Sequence, residues 1–447
     1  MSNAKTDLSA LTDDELAAEL ARRRGMRQLG ADATTMEDAA EDFAHRMAHD
    51  EFAVFLVEKS RTEDNSPKRC PRCGAQCRVR ERAVQRKVRS TTGEHTLRRN
   101  RHFCEACRSG FFPLDQELDL PDEGELTSKL ESRILDVGLH SPFEEAAERW
   151  RVHHLCPISE NLVRRVVDRV GRRAEQTSAI HLAEELRPLA PEPAQVLVVA
   201  TDGSMVPTRG EDSWREVKLG VVYRGEHHAS KGRRGLISQA RYVAHLGDVA
   251  GFKADLDTVL AVERADCTPT IAWLGDGAPW NWNLADEICP TAIQVLDMYH
   301  AVEYAADVAR NLFSDDDVSR GLWLARIKAL LWNGQREILF EELEACLFLV
   351  EGEDRERLKK VIGYYRTNEK RIDYASFRAL GLPCGSGVIE SGHRHVLQAR
   401  MKLTGQHWDP KRAARMAKLR AAVATSGPAR VHGALSRAAA RSLELGR

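Results

Sequence analysis

Two short apolar runs limit what this chain can fold into more than any other feature: VLVVATDG at 196–203 and TIAWLGDG at 270–277. Each is too short for a buried helix and too evenly apolar for a strand with one wet face. Such runs read as strands buried on both faces, in the middle of a sheet covered by helices. Each ends in Asp-Gly, a turn signal where the chain leaves the core. EVKLGVVYRG and RYVAHLGDV read as two further strands, FKADLDTVLAVERAD as an amphipathic helix, and AIQVLDMYH as a last strand. After a proline-marked boundary, LAPEPAQ at 189–195, the order is three strands, a helix and two strands. Residues 303–380 read as helix throughout, and helix resumes after the glycines at 385–387, broken near Pro410. A mixed α/β sheet follows, with two strands parallel across a helical crossover.

The 447 residues suffice for roughly two to four domains. LTDDELAAELARRR and DAAEDFAHRMAHDEFAVFLVEKS give helical spacing over about 10–60, and TEDNSP at 62–67 reads as a linker. Helical periodicity returns over 125–187. No apolar run is long enough to span a membrane, and MSNAKTDLSALTDDELA lacks the apolar segment of a signal peptide. The expected location is cytoplasmic, with reduced cysteines.

Net charge is −1, but it is unevenly spread. Residues 1–66 carry 15 acidic and 8 basic side chains, residues 68–102 carry 12 basic and 2 acidic, and residues 393–420 carry 8 basic and 1 acidic. Basic blocks of this kind suit a polyanionic partner.

The first basic block lies in a cysteine module. Cys70-x2-Cys73 and Cys104-x2-Cys107 are separated by 30 residues, and four thiolates in paired knuckles match a tetrahedral structural zinc site. Zinc would hold together a module too small to build its own core. Cys77 and His102 are either stand-in ligands or bystanders, and the five remaining cysteines read as small buried hydrophobes. Between the knuckles RVRERAVQRKVRS alternates as a hairpin would, so Arg78, Arg80, Arg82, Arg86, Lys87 and Arg89 are expected to meet phosphates. Downstream, FEEAAERWRVHHLCPISENLVRRVVDRVG holds two helices joined by a short turn, the second opening at a good N-cap, Ser159. It reads as a helix-turn-helix with Arg164 and Arg165 on the recognition helix, or as a plain helical hairpin.

Asp202 and Asp276 end the two buried strands, and Glu390 opens the late helix in GSGVIESGHRHVLQARMKLTGQHW. Carboxylates gathered at one sheet edge repel unless cations neutralise them. Hard oxygen ligands suit Mg²⁺ or Mn²⁺, and two such ions about 3.5–4 Å apart can activate a nucleophile and stabilise a leaving oxygen. Arg394, Arg400 and Lys402 follow Glu390 and would hold phosphate, although Glu390 and Arg394 also make an i,i+4 surface pair. His393 and His395 are expected to face solvent. Trp280, Trp282 and Trp408 either fill the core or stack on unpaired bases.

The order Asp, Asp, Glu on this series of elements resembles the RNase H-like core of DDE transposases. CPxCG, CxxCxxGFFPLD, ATDG, LGDGAxW, LDMYH and GSGVIESGHRHV together resemble bacterial insertion-sequence transposases of the ISKra type, in the Mutator-like superfamily, over roughly 65–425. The resemblance implies that Asp202, Asp276 and Glu390 form the metal-binding triad. It also implies that Asp297-x2-His300 is the acidic-x2-His motif, which supports the pocket or touches DNA; a strand-end histidine bonded to backbone is the alternative for His300. The fold implied is an RNase H-like mixed sheet with an all-helical insertion, preceded by helical and zinc-ribbon DNA-binding modules. Its expected divisions are a helical segment at 1–65, a zinc ribbon at 66–120, a helix-turn-helix-like domain at 121–188, a core at 189–302 and 381–425, an insertion at 303–380 and a tail at 426–447. Residues 1–60 would serve dimerisation or end binding.

The implied activity is cleavage of double-stranded DNA at element ends and strand transfer into target DNA, with catalytic Mg²⁺ or Mn²⁺ and structural Zn²⁺. Two ends handled together imply a homodimer or larger assembly. A zinc-ribbon and helix-turn-helix regulator would instead bind DNA without divalent-metal dependence. A stand-alone RNase H-like nuclease would cut without joining.

Overall fold

The computed structural model describes residues 12–27, 32–121, 124–154, 156–177, 182, 185–186, 192–210, 213–231, 234–314 and 316–445. Residues 1–11 of the expected N-terminal segment and 189–191 of the expected boundary lie outside them. The chain divides into two compact units, Met1–Val170 with Ala439–Arg447, and Gly171–Ala438. No described helix is long and apolar enough to cross a membrane.

The first unit begins with α1 (Asp13–Arg27) and α2 (Ala33–Thr62). The Asp32 carboxylate accepts the Thr35 N–H at 2.8 Å, starting α2 where free N–H groups need an acceptor. Phe52 and Leu56 of α2 pack on Val88, Leu97 and Leu114. Strands β1 (Lys68–Arg69) and β2 (Gln76–Cys77) pair antiparallel. The expected hairpin is β3 (Val79–Ser90) and β4 (Gly93–Cys104), with β5 (Ser109–Phe111) added to its far edge. Its register shifts on either side of Glu81, and Ala83 there takes a positive φ of 55°. Such irregularities change which residues face inward. After short α3 (Pro113–Glu117) come α4 (Ser128–His140), α5 (Phe143–His153) and α6 (Glu160–Gln176). The Ser159 hydroxyl accepts the Leu162 N–H at 3.2 Å, the expected cap of α6. Buried Leu162, Val163, Val166, Val167 and Val170 form the apolar stripe of α6. Gly138 lets α4 approach it: a Cβ there would stand 2.7 Å from both Val163 Cγ1 and Val167 Cγ2.

The second unit is built on one sheet. Its strands are β6 (Val196–Pro207), β7 (Trp214–Arg224), β10 (Arg241–Leu246), β11 (Thr270–Gly275) and β12 (Ile293–Leu296). The spatial order is β10-β7-β6-β11-β12; the first three run antiparallel, while β11 runs parallel to both β6 and β12. Between β7 and β10 the chain makes a separate hairpin, β8 (His228–Lys231) and β9 (Arg234–Ile237), which the sequence pattern does not signal. Helix α7 (Val249–Val262) covers one face: a Cβ on Gly220 would meet Phe252 at 3.1 Å.

Three boundaries differ from expectation. PWNWNLADEI forms α8 (Pro279–Ile288), because parallel β11 and β12 need a crossover between them. The strand expected to run to His300 stops at Leu296, and α9 (Met298–Leu312) starts at once. Strand β6 does not end at the Asp202-Gly203 turn signal but runs on to Pro207, held by its pairing with β7. The helical break near Pro410 is as expected, between Met401 and Pro410, whose missing N–H costs nothing in a first turn.

Helices α9, α10 (Asp317–Trp332), α11 (Arg336–Cys346), α12 (Gly352–Thr367) and α13 (Tyr374–Ala379) form the insertion, with Ile327, Leu331, Leu339, Leu343, Leu358 and Tyr365 buried. Then α14 (Gly387–Gly392) passes through a π turn (His393–Gln398) into Ala399–Met401, followed by α15 (Pro410–Ser426) and α16 (Pro428–Leu445).

Asp297 ties three of these elements together. It is fully buried. Its N–H donates to Gly275 O at the end of β11 (2.9 Å), and its Oδ1 accepts the Tyr299 and His300 N–H groups that start α9. Its Oδ2 accepts the Ser386 N–H, at 2.6 Å, just before α14. Removing the carboxylate strands several buried donors at once. Asp297→Ala is therefore expected to lower unfolding stability by about 3 kcal/mol, read as a shift in urea midpoint; an unshifted midpoint would contradict this role.

Candidate functional site

The ladder between β11 and β6 pairs Thr270 with Val196 and Leu274 with Ala200. Continued two residues further, the same register sets Asp276 level with Asp202. Neighbouring strands lie about 4.8 Å apart, so the chain leaves β11 at Asp276 beside Asp202, which lies within β6. Buried Asn281 on α8 braces them: its Nδ2 donates to Thr201 O at 2.9 Å and to Asp276 Oδ1 at 3.3 Å. Thr201 Oγ1 donates back to Asn281 Oδ1 and accepts from Trp273 Nε1 at 3.2 Å. The Asp276 carboxylate also accepts the Ala278 N–H (3.0 Å), and that of Asp202 accepts the Gly203 N–H (2.7 Å).

Asp202 pairs with Leu219 across β6 and β7, so their side chains share a face. That face carries α14: a Cβ on Gly392 would meet Leu219 Cδ2 at 3.1 Å and Tyr242 Cε1 at 3.0 Å. One residue on, His393 brings its Nε2 to 3.0 Å from Asp202 Oδ2. The expectation that His393 faces solvent is therefore wrong; its side chain is 7% exposed, because Gly392 lets the helix settle onto the sheet. Glu390 precedes His393 by three residues and so shares its helix face. Its side chain is exposed. Among the described residues, none of Asp202, Asp276 and Glu390 is paired with a Lys or Arg. As a set they stand farther apart than ligands of a single ion; among the described residues, the group of three or more ligand atoms within 4.8 Å of one another is the four cysteines.

Among the cations, Lys402 Nζ donates to Ser204 Oγ at 3.1 Å. Ser204 lies two residues beyond Asp202 and on its face, roughly 7 Å along the strand. Arg394 is exposed. Arg400, expected beside them, is instead 1% exposed and lies 5.0 Å over the Trp408 ring. It falls on the inward side of the helix turn and cannot reach a phosphate as it stands. Trp408 and Trp282 are buried, while Trp280 is half-buried with Lys218 5.5 Å from its ring. His300 donates its N–H to Asp297, and its ring Nδ1 sits 3.3 Å from Glu303 Oε2. Nothing in the sequence singled out Tyr364 of α12, whose hydroxyl donates to Asp276 O at 3.1 Å while its ring stacks on Tyr304 at 4.1 Å. Burial pushes that hydroxyl far above its usual range, keeping it a donor.

In the first unit, Cys70, Cys73, Cys104 and Cys107 converge as expected. Cys70 Sγ and Cys107 Sγ are 4.0 Å apart, and Cys73 Sγ and Cys104 Sγ 3.5 Å. A tetrahedral ion with metal–sulfur bonds of about 2.3 Å sets those edges at about 3.8 Å. Backbone N–H groups of Arg72 and Cys107 point at Cys70 Sγ (3.3 Å) and Cys104 Sγ (3.4 Å). The second of these draws the Cys104 thiol down to about 6. The four can hold a metal ion such as zinc. Cys77 stands aside, its thiol held up to about 11 by burial, and His102 packs on Phe111 at 5.6 Å.

Arg78, Arg80, Arg82 and Lys87 of the hairpin are exposed. Arg86 is not. Its guanidinium lies 2.8 Å from Asp115 and donates to Pro121 O (2.6 Å) and Gly124 O (2.9 Å), with the side chain 8% exposed. Beyond the irregularity at Ala83 the inward set becomes Arg86, Val88 and Ser90, so Arg86 braces the hairpin instead of facing a partner. Arg89 is half-buried against Glu94 at 3.1 Å. On α6, Arg164 is held by Glu160 (3.1 Å) and Asn161 (2.6 Å), and Arg165 is exposed.

Fold and site together describe a mixed α/β protein with a group of carboxylates that no described Lys or Arg pairs, and a four-cysteine cluster. No family model matches the chain. A Streptococcus gallolyticus protein named "UPF0236 protein in vanSb 3'region" is 24% identical over 345 residues, covering 73% of this chain and 70% of that protein. Among solved structures, the Drosophila P element transposase strand transfer complex aligns with a TM-score of 0.33 at 10% identity, over 70% of this chain and 96% of that one.

The cysteine cluster makes a direct prediction. Metal analysis should find about one tightly held transition-metal ion per chain. Cys70→Ser or Cys104→Ser should lose it and expose the hairpin to protease, whereas Cys77→Ser should keep it.

Proposed function

We propose that this chain is a DDE transposase of the bacterial insertion-sequence type, with its sheet as an RNase H-like core. The observation that supports this best is the register that sets Asp276, just past β11, level with Asp202 on β6, which lies against the helix that carries Glu390, with no Lys or Arg among the described residues neutralising any of the three. Such a group of like charges suits divalent cations. The five-stranded mixed sheet, followed by a helical insertion between β12 and α14, supports the RNase H-like reading.

Asp202, Asp276 and Glu390 would hold Mg²⁺ or Mn²⁺, with all-oxygen donors suited to either. Their spread favours a pair of ions over one. When bound, such ions supply activation of water and stabilisation of the leaving oxygen. The chain's own residues do the rest. Lys402, fixed at Ser204, and exposed Arg394 draw a phosphodiester to the carboxylate edge. Asn281 and Tyr364 keep Asp276 at its strand end, and Asp297 keeps α14 over Asp202. Hydrolysis at an element end would free a 3′-hydroxyl, which would then attack a target phosphodiester in the same pocket and expel its 3′-oxygen. The four cysteines would hold structural zinc, so that the exposed face of the β3–β4 hairpin meets double-stranded DNA. Because two ends must be handled together, the working form would be a homodimer or larger, acting in the cytoplasm.

In a strand-transfer assay with the element's ends, product should require Mg²⁺ or Mn²⁺. Asp202→Ala, Asp276→Ala and Glu390→Gln should each lower it by more than about 100-fold while end binding persists. Equal activity across the set would eliminate the catalytic assignment and leave a DNA-binding regulator. Cleavage without joining would leave a nuclease.

The hairpin gives a second expectation. Arg78→Ala, Arg82→Ala and Lys87→Ala should each weaken DNA binding and reduce the slope of log affinity against log salt by about 1. Arg86→Ala should instead lower stability with that slope unchanged. A salt slope indifferent to all three surface changes would remove the hairpin from the DNA interface.

A further inference from the structure

We propose that His393 is a metal ligand, supplying the one nitrogen donor of the carboxylate site and sharing an ion with Asp202. The inference rests on the metal-dependent reading above and adds a residue that reading does not include.

Three observations carry it. First, the His393 side chain is 7% exposed, yet neither ring nitrogen makes a hydrogen bond. Buried polar atoms are nearly always satisfied, and an orphaned one in a polar site points to a missing ion or water. Second, Nε2 approaches Asp202 Oδ2 to 3.0 Å without the alignment of a hydrogen bond. Two donors that approach closely but do not bond to each other have the geometry of neighbouring ligands. On an octahedral ion with bonds of about 2.1 Å, adjacent ligands stand about 3.0 Å apart. Third, the helix departs from α geometry at this point. Residues His393–Gln398 form a π turn, directly after Gly392 has brought the helix against Leu219 and Tyr242. An isolated π turn disturbs the hydrogen-bond ladder and recurs where a helix must aim a functional side chain.

The arrangement also has a chemical consequence. An imidazole on an otherwise all-oxygen site shifts preference toward Mn²⁺ and away from Mg²⁺, which takes nitrogen poorly. The ion shared by Asp202 and His393 should therefore be the tighter of the two and the more selective for manganese. Of the two histidines flanking Arg394, His393 is the one that is buried and meets Asp202, while His395 is exposed.

The test needs no DNA. The full-length protein, with its cysteine-bound metal in place, is titrated with Mn²⁺ and followed by electron paramagnetic resonance, and the bound ion is examined by electron spin-echo modulation. The wild type should bind Mn²⁺ with modulation from a directly bonded imidazole nitrogen. His393→Gln, close in volume and also neutral, should abolish that modulation and weaken Mn²⁺ binding about tenfold or more while changing Mg²⁺ binding less. His393→Asp should recover affinity without the nitrogen signal and narrow the preference for Mn²⁺. Circular dichroism melting of each variant separates loss of a ligand from loss of fold. Mn²⁺ binding that depends on Asp202 and Glu390 but shows no nitrogen, or nitrogen modulation that survives in His393→Gln, would overturn the inference and leave the metal-dependent reading standing. No Mn²⁺ binding that depends on Asp202, Asp276 or Glu390 would overturn both.

Discussion

The parallel pairing of β6 with β11 is the constraint on which the candidate site depends. A parallel ladder has a fixed register, and a slip of one residue would send one carboxylate to the opposite face. Val196 to Ala200 and Thr270 to Leu274 are buried or nearly so, and apolar but for Thr270, so any slip would also move apolar side chains out of the core. The stability of the sheet and the placement of Asp202 beside Asp276 are thus one property. The Thr201–Asn281–Asp276 network reinforces it by joining the middle of β6 and the end of β11 to the same helix.

A second constraint acts at right angles to the first. The sheet alone cannot supply Glu390, which lies more than a hundred residues further on behind a helical insertion. Asp297 closes that distance. Its backbone is tied to the end of β11 and its carboxylate to the start of both α9 and α14. An insertion can then grow between α9 and α14 without moving the helix that carries Glu390. Tyr364 gives the insertion a direct contact with the Asp276 backbone, so its packing and the position of that carboxylate are mechanically coupled.

Much of this was legible in the sequence because burial leaves a strong pattern. VLVVATDG and TIAWLGDG announce central strands and carry residues of the candidate site, although the first strand runs past Asp202 to Pro207. The paired cysteine knuckles were legible because thiolate ligation needs a short, recurrent spacing. What escaped notice depended on local geometry. PWNWNLADEI carries too few periodic residues to declare itself a helix, and only the need for a crossover explains it. LDMYH reads as the end of a strand until Asp297 is seen capping a helix. Alternation along RVRERAVQRKVRS suggested one basic face, but the irregularity at Ala83 turns Arg86 inward. Arg400 and His393 sit in a basic, polar stretch and would pass for surface residues. Gly392 and the π turn after it place both inside.

The central claim is that Asp202, Asp276 and Glu390 form a site for divalent metal at the carboxylate edge of the sheet. Anomalous diffraction from crystals soaked in Mn²⁺ measures this most directly. The account predicts manganese peaks at that edge, with at least one about 2.1–2.3 Å from an Asp202 carboxylate oxygen and Glu390 turned in from its exposed position. A fully soaked crystal with manganese elsewhere and none touching Asp202, Asp276 or Glu390 would contradict it.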